Sequence, residues 1–157
     1  MLIQLIYSSW ATENMTKSKL YRILVQARPR NASADLTGLL IFVDGVFLQI
    51  LEGERDAVTT LMRKISCDPR HQDLKVILES DIQQRSFPSW EMAYASPSSE
   101  EFAAWAGVSG LTTLRETLET LQGEPHRISD FLSRCQEFIK NAAIGLWIEG
   151  TSKPRTA

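Results

Sequence analysis

The chain has 157 residues, of which 43% are hydrophobic, so it can bury one sizeable core without metals or disulfides. Its formal net charge is −2 and its pI is near 5.7, which argues against a nucleic-acid-binding surface. Phosphate recognition needs clustered Lys and Arg, and basic groups such as Arg28-Pro29-Arg30 are short here. We therefore expect no nucleic-acid partner.

Cysteine usage and the N-terminus bear on the compartment. Cys67 and Cys135 lie far apart and match no metal or redox spacing, so we expect two buried thiols inside helices in a reducing environment. Residues 1–7 are apolar but lack the basic start and the length of a secretory signal. No apolar run reaches membrane-spanning length. The sequence predicts a cytoplasmic protein with no membrane partner.

Hydrophobic periodicity predicts alternating strands and helices over the first 95 residues. Alternating or continuous apolar stretches indicate strands, and apolar residues spaced by three and four indicate amphipathic helices. In chain order we predict strand one at 2–9, a first helix at 16–28, strand two at 36–43, strand three at 45–53, a second helix at 56–67, strand four at 74–80 and strand five at 87–94.

Three local features set the predicted boundaries. Pro29 should end the first helix, because the residue before a proline avoids helical geometry, and this leaves Arg30 and Asn31 just past the helix end. Asp44-Gly45 predicts a two-residue hairpin turn between strands two and three. Asp56 is a suitable N-cap for the second helix.

The predicted order βαββαββ indicates an α+β fold. Two right-handed crossover units around a central hairpin place both helices on one face of the sheet, which describes a ferredoxin-like sandwich with one additional strand. We expect strands one and three to be parallel neighbours. This arrangement brings Tyr7 and Gln49 close together on the face that the two helices cover.

A different kind of sequence begins at 96–99, a Ser/Pro linker. A short helix is predicted at 100–105, and apolar stripes from Leu111 to Leu121 and from Ile128 to Ala142 predict two amphipathic helices. These helices should cover the helix-free face of the sheet or pair with a second subunit, so we also expect a homo-oligomer. The predicted organisation is a domain at 1–95, a helical extension at 96–145 and a loose tail at 146–157.

Gln49 is out of place in strand three. It stands in a run of apolar residues from Val46 to Leu51 that reads as a strand buried on both faces. A buried carboxamide without partners costs about 1–3 kcal/mol, so a partner must exist. The candidates are a backbone edge, a buried water or the Tyr7 hydroxyl.

The polar residues of these elements resemble a known family. Tyr7, Asn31, Gln49 and the segment Ser89-Trp90-Glu91-Met92 are similar in order and spacing to the BLUF family of flavin-binding blue-light photoreceptors. The runs Gln-Ile-Leu-Glu-Gly at 49–53 and Asp-Pro-Arg-His at 68–71 match the family as they stand. The resemblance covers about residues 1–95.

The resemblance implies a cofactor and a set of residues around it. Members bind FAD without a covalent bond, with Tyr7 and Gln49 as the photoactive pair and Asn31 on the pyrimidine edge of a ring held between the two helices. Lys64 lies where some members carry Arg near the ribityl-phosphate chain. The implied FAD-binding residues are Tyr7, Ile23, Arg30, Asn31, Gln49, Lys64, Ile65, Asp68, Arg70 and His71. His71 alone would be an ordinary loop histidine, and its motif favours a structural or flavin-tail role.

The resemblance also implies how a signal is made. Blue light drives an electron and then a proton from Tyr7 through Gln49, whose amide is left rotated or tautomerised with a stronger bond to the C4 carbonyl of the ring. Trp90 and Met92 should alternate onto one face of strand five and relay the change to the C-terminal helices, ordinary core packing being the alternative. No cyclase, phosphodiesterase or DNA-binding segment follows. We therefore expect a separate effector, for example a cyclic-dinucleotide phosphodiesterase or a regulator.

Two other functions compete with this one. An acylphosphatase-like enzyme of the same fold would use Arg30 and Asn31, but the chain has Ser-Ser-Trp-Ala-Thr at 8–12 in place of a glycine-rich anion loop. A ligand-free oligomerisation module leaves Gln49 unexplained. The flavin photoreceptors that form a cysteine adduct need an Asn-Cys-Arg context, which neither cysteine has. We expect a photoreceptor and not an enzyme.

Overall fold

The computed structural model describes residues 1–108 and 113–141. It confirms the predicted ferredoxin-like fold with C-terminal helices. Its elements are β1 (Leu2–Ala11), α1 (Lys17–Ser33), β2 (Thr37–Val43), β3 (Val46–Glu54), α2 (Arg55–Ser66), β4 (His71–Asp81), β5 (Ala93–Ala95), α3 (Ser99–Trp105), α4 (Leu114–Gly123), a 3-10 turn (Pro125–Arg127) and α5 (Ile128–Asn141).

The five strands form one sheet in the order β4-β1-β3-β2-β5. β1 and β3 are neighbours as predicted, but they run antiparallel, so the parallel prediction was wrong. The crossover through α1 makes β1 and β2 point the same way, and the hairpin then reverses β3. Tyr7 nevertheless lies directly opposite Gln49 in the register. The hairpin turn at Asp44 and Gly45 is confirmed, with positive φ at both residues.

Helix α1 runs past Pro29, contrary to the prediction, and Arg30 and Asn31 lie in its last turn. A proline removes one bond, that from its own nitrogen to the carbonyl of Val25, and Val25 is on the exposed side of the helix where water can replace the donor. The helix then ends at the Ala34 cap, whose N–H donates to the Arg30 carbonyl.

The second helix begins two residues earlier than the predicted cap implied, so the prediction of Asp56 as its N-cap was wrong. β3 passes directly into α2, so Asp56 lies in the first turn and Glu54 occupies the cap position without a side-chain cap bond. Cys67 follows the end of α2 and is exposed, so the prediction of a buried helical thiol was wrong for Cys67. Cys135 in α5 is buried as expected.

Strand five is shorter than predicted, and residues 87–92 form irregular chain before it. Pro88 has no N–H to give to a sheet. The N–H groups of Ser86 and Phe87 donate to the Glu52 carboxylate instead of to a neighbouring strand. The strand therefore starts only at Ala93, where it pairs parallel to β2.

The sheet has a core on each face. One core, the α1/α2 face, includes Tyr7, Phe47, Leu51 and Met92 together with residues of α1 and α2. The other, the α3–α5 face, includes Ile6, Leu48, Ile50 and Trp90 together with residues of α3, α4 and α5. The C-terminal helices thus cover the helix-free face.

Parts of three predictions lie outside the described residues. These are Leu111 at the start of the first stripe, Ala142 at the end of the second and the tail at 146–157. Among residues 1–108 and 113–141, no helix combines the length and hydropathy needed to cross a bilayer. Within the same residues, no cluster of His, Cys, Asp and Glu has an arrangement suited to a metal ion.

Gly38 allows β2 to approach the backbone of β3 closely. A Cβ at this position would lie 1.8 Å from the carbonyl oxygen of Ile50, so Gly38→Ala must force the strands apart. We expect the free energy of unfolding to fall by more than about 2 kcal/mol, measured by urea titration. Gly123→Ala is the control, because a Cβ there meets nothing within 4 Å, and it should be neutral or stabilising by up to about 1 kcal/mol. Equal stability of the two variants would contradict the close approach.

Candidate flavin site

A cavity lies between the α1/α2 pair and the sheet. Its empty space, including the open mouth, is about 600 Å³. All ten side chains predicted to contact the cofactor line it. Four further residues complete the lining: Ala27, Leu40, Phe47 and Leu61.

The sequence held a signal for three of these four additional residues. Ala27 lies one helical turn after Ile23, Leu61 lies one turn before Ile65, and Phe47 lies two residues before Gln49 on the strand. Residues at these spacings share a face. The cavity therefore has apolar walls from both helices and from β3.

Tyr7 and Gln49 form a direct hydrogen bond at the floor of the cavity. The Tyr7 hydroxyl donates to Gln49 Oε1 at 2.5 Å. At its other end, Gln49 Nε2 donates to the thioether sulfur of Met92 at 3.4 Å. Of the partners considered for the out-of-place amide, the structure selects the Tyr7 hydroxyl and adds Met92. The amide is thus held with its acceptor end towards the phenol.

Burial controls the protonation state of Tyr7. The side chain is 1% exposed, and burial, followed by the nearby Asp68 carboxylate, raises the pKa of the phenol well above its usual range. Tyr7 is therefore neutral at physiological pH. Its hydroxyl proton is directed at Gln49 Oε1.

Asn31 offers an unused acceptor to the cavity. Its side chain is 1% exposed, and Nδ2 donates to the Glu91 carbonyl at 2.9 Å. Its Oδ1 is buried and has no hydrogen-bond partner among the described residues. A buried acceptor left without a partner costs about 1–3 kcal/mol. The imide N–H of a flavin is the kind of donor that would satisfy this oxygen.

The loop after α2 brings charged groups to the cavity wall. Asp68 accepts from the backbone N–H and the guanidinium of Arg70, and this pairing lowers the pKa of the carboxyl. Arg30 and Lys64 add two more cations to the lining. Three cations against one carboxylate leave the wall net positive, which suits a diphosphate.

His71 is built into the sheet as the first residue of β4. Its Nδ1 lies 2.6 Å from Ser9 Oγ, and its ring packs against Phe47 with the centroids 4.8 Å apart. Burial lowers the pKa of the imidazole, so it is neutral at pH 7. The ring is held in place as a neutral wall of the cavity.

Trp90 and Met92 lie on opposite faces of the sheet, so the prediction that they share one face was wrong. Trp90 packs on the α3–α5 face and Met92 packs on the α1/α2 face beside Gln49. The two-residue alternation of a strand does not apply, because the strand begins only at Ala93. The segment 90–92 therefore passes from one core to the other.

The backbone carbonyls of residues 90, 91 and 92 each accept a hydrogen bond from a residue of α1 or β2. The Trp90 carbonyl accepts from Gly38 N at 3.1 Å, and the Glu91 carbonyl accepts from Asn31. The Met92 carbonyl accepts from Arg28 Nε at 3.3 Å and Nη2 at 3.2 Å. Burial lowers the pKa of Arg28 to about 10, which still leaves it charged. Sequence reasoning missed Arg28, because a basic residue beside Pro29 gave no indication of a buried partner.

Comparison with known proteins identifies the family. The family model described as "Sensors of blue-light using FAD" matches residues 2–93. The chain belongs to the BLUF family. FAD is therefore the cofactor that the site has to fit.

Known BLUF proteins resemble the chain to different extents. The photoactivated adenylate cyclase subunit beta of Euglena longa is 41% identical over 96 residues, which is 60% of this chain and 11% of that relative. The dark-state structure of BlrB, a BLUF protein, superposes with a TM-score of 0.69 at 28% identity and covers 87% of this chain and 96% of that one. The ground state of BlsA gives 0.63 at 31% identity, with 78% and 88% covered.

The residues of this BLUF cavity fit FAD. Asn31 Oδ1 is an orphaned acceptor for an imide edge, Ile23 and Ile65 provide apolar walls on the two helices, and cationic side chains are available for a diphosphate. Arg30 and Asn31 sit in the last turn of α1 and not in a loop. The donor set thus suits a flavin better than a small phosphate substrate.

Removing the orphaned acceptor should weaken cofactor binding. We expect Asn31→Ala to reduce FAD affinity about tenfold, since one buried hydrogen bond is worth about 1–1.5 kcal/mol. The measurement is fluorescence titration of flavin-depleted protein with FAD. Asn14→Ala, at an exposed site, is the matched control and should bind as the wild type does. Unchanged affinity of the Asn31 variant would remove this residue from the binding set.

Proposed function

We propose that this chain is a blue-light photoreceptor that binds FAD non-covalently between α1 and α2. It senses light in the cytoplasm and has no catalytic activity of its own. Tyr7 is the electron and proton donor, and Gln49 is the switch. The observation that carries the proposal is the chain of contacts from the Tyr7 hydroxyl through the Gln49 amide to the Met92 sulfur, at the floor of the cavity.

The hydrogen-bond chain suits coupled electron and proton transfer. The bound flavin, on absorbing blue light, supplies an oxidant. Tyr7 is neutral and buried, so its oxidation has to release the phenolic proton, and Gln49 Oε1 stands 2.5 Å from the hydroxyl oxygen to receive it. Return of both the electron and the proton to Tyr7 then restores the phenol, while the amide can settle in another orientation.

Rotation of the Gln49 amide removes its hydrogen bond to the Met92 sulfur. With the present orientation Nε2 donates to the thioether, but a turned amide presents its oxygen to a sulfur that has no hydrogen to give. The contact with Met92 is then lost. A hydrogen bond is worth about 1 kcal/mol net, enough to shift a balanced equilibrium several-fold.

A displacement of Met92 can reach the α3–α5 face of the sheet through Trp90. Trp90 is two residues away and packs in the core shared with α3, α4 and α5. Movement of the segment 90–92 therefore disturbs the packing of the C-terminal helices. In this proposal Met92 receives the signal and Trp90 delivers it to the helical extension, residues 96–145, which follows the flavin-binding domain at 1–95.

The output in this proposal is a contact with a separate effector, such as a cyclic-dinucleotide phosphodiesterase or a regulator. The matched part of the Euglena longa relative is about a tenth of a photoactivated adenylate cyclase subunit, so a BLUF sensor can control an output module. We further propose that copies of the chain form a homo-oligomer through the helical extension.

The photoactive pair can be tested by removing its polar atoms. Tyr7→Phe should retain FAD but lose the red shift of the flavin absorption under blue light, because the donor of the proton is gone. Gln49→Leu should lose the shift too, because no amide remains to change its orientation. Tyr94→Phe, at a buried tyrosine on β5 of the same core, is the control and should shift as the wild type does. A fully shifting Tyr7→Phe protein would rule out Tyr7 as the donor.

Size-exclusion chromatography in darkness and under blue light tests the homo-oligomer. We expect an apparent mass that is a multiple of 17.7 kDa and that changes on illumination, because the C-terminal helices receive the signal. The Tyr7→Phe protein is the control, and its elution should not respond to light. A monomer under both conditions would contradict this part of the proposal.

A further inference from the structure

A fully buried carboxylate fastens the loop between β4 and β5. Glu52 is 0% exposed, and its Oε2 accepts from Ser86 N at 2.7 Å and from Gln4 Nε2 at 3.0 Å. Its Oε1 accepts from Phe87 N at 2.7 Å. Burying a charge destabilises the fold unless its oxygens all accept hydrogen bonds. An apolar residue at this position would stabilise an ordinary core more. The carboxylate therefore holds two consecutive N–H groups in fixed positions.

The same strand carries the photoactive amide. Glu52 follows Gln49 by three residues on β3, so the two side chains point to opposite faces of the sheet. Gln49 faces α1 and α2, whereas Glu52 faces the side covered by α3 to α5. On that side Gln136 of α5 donates from Nε2 to the Ser86 carbonyl at 2.7 Å. The residue held by Glu52 is thus also the attachment point of α5.

The loop is held at a second place close by. The carbonyls of residues 90–92 are bonded to Gly38, Asn31 and Arg28, and Met92 also contacts Gln49. Only Pro88 and Ser89 lie between the two fastened segments. A displacement at Met92 cannot be absorbed by sliding of the loop while residues 86 and 87 are fixed. It has to move Trp90, which lines a groove with Gln136 and Ile139 of α5.

We infer that Glu52 is a positioning residue for signal output, acting through the backbone of Ser86 and Phe87. Gln136 ties α5 to Ser86, which Glu52 holds in place. When Met92 loses its contact with Gln49 and Trp90 moves, α5 therefore cannot move with Trp90. The packing between Trp90 and α5 changes as a result. Without the Glu52 carboxylate, the N–H groups of Ser86 and Phe87 lose their acceptor, although Arg85 still bonds Thr37 Oγ1. Residues 86 and 87 can then move together with Met92, and α5 follows them. The inference rests on the proposed photochemistry, and it assigns the route by which that photochemistry reaches the C-terminal helices.

The test separates photochemistry from transmission in the FAD-loaded full chain. The flavin red shift reports the photoactive pair, and hydrogen exchange of the α5 amides in darkness and under blue light reports the output. We expect the wild type to show the shift together with a light-dependent change in α5 exchange. Glu52→Gln should keep the shift and lose that change, because one amide oxygen cannot replace a carboxylate that accepts from three N–H donors.

Gln136→Leu gives a second test that leaves the Glu52 cluster intact. It removes the bond to the Ser86 carbonyl and should also keep the shift while losing the light-dependent exchange of α5. Glu137→Leu, at the next and exposed position, is its control and should keep both. Val58→Ala, which opens a cavity in the other core, controls for lost stability, since simple destabilisation raises exchange equally in darkness and light.

The outcomes distinguish this inference from the proposed function. A wild type without a red shift refutes the photochemistry itself. A wild type that shifts but shows no light-dependent exchange in α5 overturns the inference alone. The inference is also overturned if either Gln136→Leu or Glu52→Gln keeps the wild-type difference in α5 hydrogen exchange between darkness and blue light. Loss of the difference in both variants, with the shift retained, supports the route through Glu52.

Discussion

The hydrogen bond between Tyr7 and Gln49 is the interaction around which the site is arranged. A buried phenol and a buried carboxamide each lose their hydration, and the two strands bring them into direct register so that each satisfies the other. The antiparallel pairing of β1 and β3 fixes this opposition. Because the phenol is desolvated, its pKa is raised and it is neutral at rest. The proposed photochemistry depends on that resting state.

An amide is a suitable switch because its two ends differ. Gln49 presents an acceptor to Tyr7 and a donor to Met92, and a thioether can accept but cannot donate. The free-energy difference between the two orientations of the Gln49 amide is about that of one hydrogen bond. The proposed response is therefore a shift between two conformations of similar free energy and not a large unfolding.

The sheet separates the chemistry from the proposed output. β3 carries Gln49 towards the flavin cavity and Glu52 towards the C-terminal helices, and the segment 86–92 runs between the two sides. Trp90 and Met92 belong to different cores for this reason. The irregular backbone there is what allows neighbouring residues to serve opposite faces, since a regular strand would place residues two apart on the same face.

Local sequence determined the order of elements, the hairpin at Asp44-Gly45 and the presence of a partner for Gln49, because periodicity, turn chemistry and the cost of a buried amide are properties of short stretches. Tertiary structure decided the rest. Helix α1 continues past Pro29 because the Val25 carbonyl, which loses its donor, is on the exposed side of the helix, and the Glu52 carboxylate takes the N–H group of Phe87 that strand five would have used. The separation of Trp90 from Met92 and the bonding of half-buried Arg28 to the Met92 carbonyl follow from contacts with residues distant in the chain, which no local pattern records.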